Sequence, residues 1–249
     1  MTALASAIPC WQKDWGIGCK RRERDGIMLE WLWNMVFPPK CPGCLHYMEK
    51  RGEWCSSCLD RLCRPHLLPL AQEMREIFSS GVWALGMYEQ ELRSILKQLK
   101  YRQKMGIVPY IHSFVAEGLA KSVRDRHSKA LFDRLAVPVP LHKEKLSKRG
   151  FNQSQLIFQK PLESLGLSME DVLLRTRATE PQYGLGAEQR RENLHQAFAM
   201  SEGKSVQGCR ILLVDDIMTT GTTLLECGRV LKNAGAADIM GLVAASGRK

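Results

Sequence analysis

The 249-residue chain contains no run approaching the ~20 apolar residues that a membrane-spanning helix requires. The longest candidate, residues 27–37, is too short and carries Glu30, so no membrane insertion is expected. The first residues lack a charged segment followed by an apolar core, so no secretory leader is expected and the chain reads as cytoplasmic. Internal repeats and low-complexity tracts are absent. The cysteines number nine, and five of them (Cys10, Cys19, Cys63, Cys209, Cys227) show no pairing pattern, which argues against a disulfide framework. No aromatic or acidic pair can be assigned to recognition of a purine or a pyrimidine. The length does allow one large domain plus a small one, and an apolar fraction of 45% suffices for a packed core. A formal charge of +10 suits polyanionic ligands such as nucleic acid or diphosphates, without choosing between them.

The most informative stretch runs from Ile211 to Thr223, ILLVDDIMTTGTT. Ile211 to Val214 read as a short buried strand. Asp215 and Asp216 stand at its carboxyl end, where open α/β sheets bind ligands. A small hydroxyl-rich loop follows and leads into a helical pattern (Leu224, Leu225, Val230, Leu231). The first N–H groups of a helix lack intrahelical partners, and the helix dipole adds partial positive charge there. A monophosphate collects several of those N–H groups. Gly221 permits close backbone approach or positive φ, and Thr219, Thr220, Thr222 and Thr223 offer further donors. The two acids repel phosphate, but they accept hydrogen bonds from sugar hydroxyls and can sit near magnesium through water.

A second signal lies near the start. Cys41-Pro42-Gly43-Cys44 and Cys55-Ser56-Ser57-Cys58 are two CxxC knuckles ten residues apart. Each places two thiolates on one tight turn, and together they supply the four corners of a tetrahedral zinc site. With four protein ligands no coordination position stays open, so the zinc is expected to be structural, and its binding should supply much of the local folding free energy.

Hydrophobic spacing organises the rest. Residues 1–27 show no apolar periodicity and read as a disordered extension, while Met28 opens a stretch that reads more like a natural beginning. A short apolar helix is expected over Leu29–Phe37, stopped by Pro38-Pro39. Strands are expected over Gly81–Tyr88, Arg134–Val139, Val172–Leu174 and Ile239–Ala244. Helices are expected over Glu91–Tyr101, Pro109–Val123, Asn152–Leu165 and Ala187–Gln196. Alternation of strands and helices implies a parallel sheet covered on both faces.

Residues 141–151 read as a basic loop, with four cations against one acid. Lys148, Arg149 and Gly150 lie just ahead of a helix and make a second strand–loop–helix anion site. Arg175 to Gly186 reads as irregular, a segment that can order over substrate as a lid.

The thirteen residues from Ile211 resemble the phosphoribosyl-pyrophosphate (PRPP) signature of type I phosphoribosyltransferases. That resemblance makes Asp215 and Asp216 ligands of the ribose hydroxyls, and Thr219, Thr220, Gly221, Thr222 and Thr223 the 5′-phosphate cradle, with magnesium accompanying PRPP. It widens along the chain. The two CxxC knuckles, then VPVPLH, KRGFNQ, TEPQ, RRENLHQAF and LVDDIMTTGTT, in this order from about Met28 to the C-terminus, are similar to the ComF family of competence-associated proteins. Lys145 stands where that family usually carries arginine, a point charge in place of a bidentate fork. The resemblance implies an α/β fold, a type I phosphoribosyltransferase-like parallel sheet with flanking helices over 67–249, preceded by a small zinc-ribbon module over 28–66. It also implies a role in uptake or processing of single-stranded DNA during natural competence, alongside DNA-processing proteins. The rival expectation is an active PRPP-dependent transferase of nucleotide metabolism with no DNA role.

Overall fold

The computed structural model describes residues 34–124, 133–177 and 196–247. The expected extension over 1–27, most of the Leu29–Phe37 helix, the Ala187–Gln196 helix apart from its last residue, and residues 178–186 of the lid lie outside the described residues. Residues 34–36 are helical and belong to a unit spanning 1–38, and residues 39–249 form a second unit.

In that second unit the elements are, in chain order, α1 (Ser56–Leu62), β1 (His66–Leu67), α2 (Gln72–Ile77), β2 (Val82–Ala84), α3 (Gln90–Arg102), a 3-10 turn (Met105–Ile107), α4 (Val108–Arg124) and β3 (Leu135–Pro138). There follow α5 (Lys143–Arg149), α6 (Gln153–Glu163), β4 (Leu173–Arg175), β5 (Phe198–Met200), β6 (Arg210–Met218), α7 (Thr222–Asn233) and β7 (Asp238–Ser246). The main sheet has the order β1-β2-β7-β6-β3. All its pairings are parallel except β1 with β2, so the expected parallel sheet carries one short antiparallel edge strand.

Strand alternation sorts the core into two layers. Leu212 and Val214 of β6 pack with Phe114 of α4, Phe158 of α6 and Leu96 of α3. Ile211 and Leu213 face the other way, toward Met74 and Phe78 around α2 and Leu224 and Leu231 of α7. β6 is therefore apolar on both faces, as a central parallel strand must be. The first layer also takes in Cys41, Trp54 and Cys58. Trp54 anchors them: its ring tilts against Phe114 at 6.1 Å, and Nε1 donates to the Tyr110 carbonyl at 2.8 Å.

Three features depart from the sequence reading. Residues 143–149 are a helix and not a loop. Its only apolar side chain, Leu146, is exposed, so it has no buried stripe for periodicity to detect. β5 pairs with β4 in a separate antiparallel two-stranded sheet, which puts Arg175 in a strand and not in an irregular segment. The short helices α1 and α2 were not foreseen.

Candidate sugar-phosphate site

The site forms where β6 outruns its neighbour. The β3–β6 ladder ends at Pro138–Val214, while β6 stays paired with β7 as far as Met218–Ser246. From Asp215 onward one edge of β6 is uncovered by β3. The expected four-residue strand is thus nine residues long and carries both acids within it.

Asp215 and Asp216 are held differently. Asp215 Oδ1 accepts from Ser154 Oγ at 2.9 Å and from the Asp216 N–H at 2.8 Å. Asp216 is 7% exposed; its Oδ2 meets Lys100 Nζ at 3.0 Å and its Oδ1 accepts the Ile217 N–H at 2.9 Å. Burial pushes the Asp215 carboxyl up to about 7, and the neighbouring Asp216 charge adds to the rise against the pull of Lys100. The Asp216 carboxylate in turn raises Lys100. A sugar hydroxyl or a water-borne cation arriving here meets acceptors already crowded with negative charge, which favours positive or donor groups.

The loop after β6 closes the site. Gly221 adopts φ 86 as the residue before α7, a left-handed conformation that favours glycine. A Cβ at this position would lie 2.7 Å from Met218 Cε and 2.8 Å from Met74 Sδ. A small cleft is lined by Asp215 and by residues 217–224, so Asp215, Thr219, Thr220, Gly221, Thr222 and Thr223 share one concavity. Thr220 Oγ1 and Thr222 Oγ1 lie 3.0 Å apart across it. α7 has twelve residues, long enough for an effective dipole at its N-terminus.

Cations surround the acids. Burial lowers Lys145, and the charges of Arg175, Arg149 and Lys100 lower it further, which marks these four groups as neighbours. Arg149 is lowered by burial and pulled back up by Asp216, so it stands near that acid. Arg175 is lowered by burial and held up in part by Cys227 and Asp215; its guanidinium lies 5.4 Å over the Phe198 ring. A bridge between His142 and Arg175 ties the β4–β5 sheet to the start of α5. Lys148 is exposed, and Gly150 takes φ 80 as the C-cap of α5, with Asn152 capping α6 two residues on. Of the expected anion-site residues, Arg149 is thus the one that stands near Asp216.

Sequence reasoning missed Lys100 and Ser154. Lys100 follows the buried positions Leu92, Ile95, Leu96 and Leu99 of α3, and a cation beside a buried stripe was the available signal. Ser154 is buried at the start of α6, a place where a serine is ordinarily read as a cap.

The cysteine quartet is assembled as expected. The four sulfur atoms of Cys41, Cys44, Cys55 and Cys58 all lie within 4.8 Å of one another. A tetrahedral zinc with ~2.3 Å bonds to sulfur sets neighbouring sulfurs about 3.8 Å apart, so the quartet is at the separation such an ion needs. Burial pushes the Cys58 thiol up to about 12, with its three partner thiols adding to the rise. Cys41 is also raised by burial, but the N–H groups of Cys55, Cys44 and Gly43 outweigh that and bring it down to about 7. The donor set, four soft thiols in one cluster, fits zinc.

A parallel sheet that ends in an acid pair, a glycine-containing hydroxyl loop and a helix N-terminus defines a phosphoribosyltransferase-type domain. The phosphoribosyl transferase domain family matches residues 152–248, which hold the acid pair, the loop, the helix N-terminus and the two central strands β6 and β7. Competence protein F of Haemophilus influenzae is 27% identical over 205 residues, covering 81% of this chain and 82% of that protein. DNA utilization protein YhgH of Salmonella typhimurium is 33% identical over 204 residues, 80% of this chain and 86% of that one. Among solved structures, adenine phosphoribosyltransferase from Leishmania tarentolae aligns with a TM-score of 0.36 at 13% identity, over 72% of this chain and 94% of the other. The chain belongs to the ComF family of competence and DNA-utilization proteins, which joins a four-cysteine cluster to a phosphoribosyltransferase domain. Among the described residues no helix is long and apolar enough to cross a membrane.

Proposed function

We propose that the protein binds PRPP, or a related phosphoribosyl ligand, with magnesium at the end of β6, and acts in the cytoplasm in uptake or processing of single-stranded DNA during natural competence. The observation that carries the ligand assignment is the shared concavity of Asp215 with residues 217–224 at the N-terminus of α7. In it Asp215 accepts a ribose hydroxyl, with Asp216 beside it and outside the cleft lining accepting a second, and Thr219, Thr220, Gly221, Thr222 and Thr223 enclose the 5′-phosphate. Arg149, with Lys148 and the backbone at Gly150, takes part of the diphosphate charge, and Arg175 adds to it from β4. A magnesium ion arriving with the diphosphate would supply charge neutralisation for it. Lys100, 3.0 Å from Asp216 Oδ2, fixes the position of that carboxylate ahead of the sugar. The DNA role rests on membership of a family whose relatives bear competence and DNA-utilization names.

The assignment of residues 28–66 to a zinc module and 67–249 to the phosphoribosyltransferase-like domain belongs to the same proposal, as does zinc at Cys41, Cys44, Cys55 and Cys58. It is supported by the clustered thiols and by the domain match over 152–248. The test is PRPP binding by zinc-loaded protein and by Asp215→Asn and Asp216→Asn. Weakened binding in both is expected, and unchanged affinity in both would refute the ribose assignment. Pyrophosphate release with a panel of nucleobases, run beside it, tells a transferase from a binding protein.

A further inference from the structure

Lys100 and Arg149, on a rim built by the ends of two helices, stand beside Asp216. α3 stops at Gln103, which takes a left-handed conformation (φ 50), and the Gln103 side-chain amide donates to the Lys148 carbonyl at 3.4 Å. That bond holds the end of α3 against the end of α5. Tyr101 stands there 66% exposed, with Met105 at 50% and Leu146 at 41% beside it in sequence or on α5. Tyr101 directly follows Lys100, whose Nζ meets Asp216 Oδ2 at 3.0 Å. It therefore stands beside the candidate sugar site. Arg102 and Lys104 flank it and are exposed. Over residues 100–105 and 143–149 there are seven cations and one acid, Glu144.

We propose that this rim is a docking surface for single-stranded nucleic acid, with an unpaired base stacked on Tyr101 and the neighbouring phosphates on Arg102 and Lys104. Two observations select that partner. The excess of cations matches a polyanion, and an exposed aromatic among them offers a face that every unpaired base can use. A duplex hides its base faces in its own stack and would leave Tyr101 uncovered. An anionic lipid surface satisfies the cations, but this rim lacks the apolar helix face that burial in a bilayer interface requires: α5 contributes one apolar side chain. The proposal deepens the DNA-handling part of the reading above and rests on it for the choice of nucleic acid. It does not need PRPP in the pocket. Its place beside the acid pair brings one nucleotide of the strand next to the sugar-phosphate cleft.

The test uses full-length zinc-loaded protein and a labelled oligothymidylate, with a duplex of equal length and phosphatidylserine vesicles as comparators. Anisotropy titrations are made at two salt concentrations. Tyr101→Ala should weaken strand binding about tenfold, the loss of one stacked base, with the salt dependence kept. Arg102→Gln and Lys104→Gln should each lower the slope of log affinity against log salt by about 0.7. PRPP affinity, measured on the same samples, should stay at the wild-type value in Tyr101→Ala. Loss of strand binding with PRPP binding intact supports the rim. Strand binding unchanged in all three variants overturns it, whatever PRPP does. Equal affinity for strand and duplex with no effect of Tyr101→Ala, or a dependence on Tyr101 seen with vesicles alone, also overturns it.

Discussion

Replacing Asp215 by asparagine should make the protein more stable while weakening its ligand site. The carboxyl is partly buried, adjoins a second carboxylate, and keeps its proton up to about 7 against 3.8 for an ordinary aspartate. The folded state therefore binds that proton more tightly than the unfolded chain. Stability falls as pH rises from the unfolded value toward the folded one, and the full cost is present above about pH 7. At about 1.4 kcal/mol per pH unit, the ionised Asp215 costs about 4 kcal/mol above neutrality and about 2 kcal/mol near pH 5.5. Asparagine keeps an oxygen that accepts from Ser154 Oγ and from the Asp216 N–H, so the two hydrogen bonds survive without the charge. Urea unfolding of wild type and Asp215→Asn at about pH 8 and about pH 5.5 measures the difference. The asparagine variant should be more stable by about 4 kcal/mol at the higher pH, with the gap narrowing by about 2 kcal/mol at the lower. Comparing two proteins at each pH cancels other groups that titrate in both. A gap that does not change with pH, or a variant less stable than wild type at the higher pH, would show that Asp215 is not held neutral by its surroundings.

Other perturbations have expected outcomes of their own. Lys100→Met removes the cation that opposes protonation of Asp215, so the pH at which that carboxyl ionises should rise, as a carbon-detected NMR titration of the side chain would record. At the opposite end of the sheet, burial pushes the Asp238 carboxyl up, but Ser79, Ser80 and the buried Arg134 outweigh it and hold it at about 2. Here the folded state releases its proton more readily than the unfolded chain, so the contribution is present above about pH 4 and disappears as pH falls toward 2. Asp238→Asn should cost about 2 kcal/mol at neutral pH by urea unfolding, and a loss under about 0.5 kcal/mol would contradict the clamp. Stripping zinc with a strong chelator should lower Tm by about 10 °C, equivalent to about 3 kcal/mol, because Cys41 and Cys58 share a buried cluster with Trp54 and Phe114. An unchanged melting curve would mean that metal does not hold the knuckles together. Trp54→Phe should cost about 1–2 kcal/mol through the lost bond to the Tyr110 carbonyl, with zinc content preserved.

What could be read along the chain was whatever repeats or turns locally. The strand, acids, hydroxyl loop and helix from Ile211 to Leu231 lie within a single short segment, so their order alone places a ligand at the strand's end. The two knuckles are likewise local, and α3 and α4 announce themselves because each buries one stripe at helical spacing. α5 does not, because it has no buried apolar stripe and ends on a left-handed glycine. Tertiary structure alone decided which distant groups meet. Lys100 is 116 positions from Asp216 and Ser154 is 61 from Asp215. Their meeting depends on the strand order β2-β7-β6-β3, which packs α3 and α6 in the same layer against β6. Pattern reports which face a residue turns to the core. Only the sheet order reports what lies across from it, and the charge state of Asp215 comes from those neighbours across the fold.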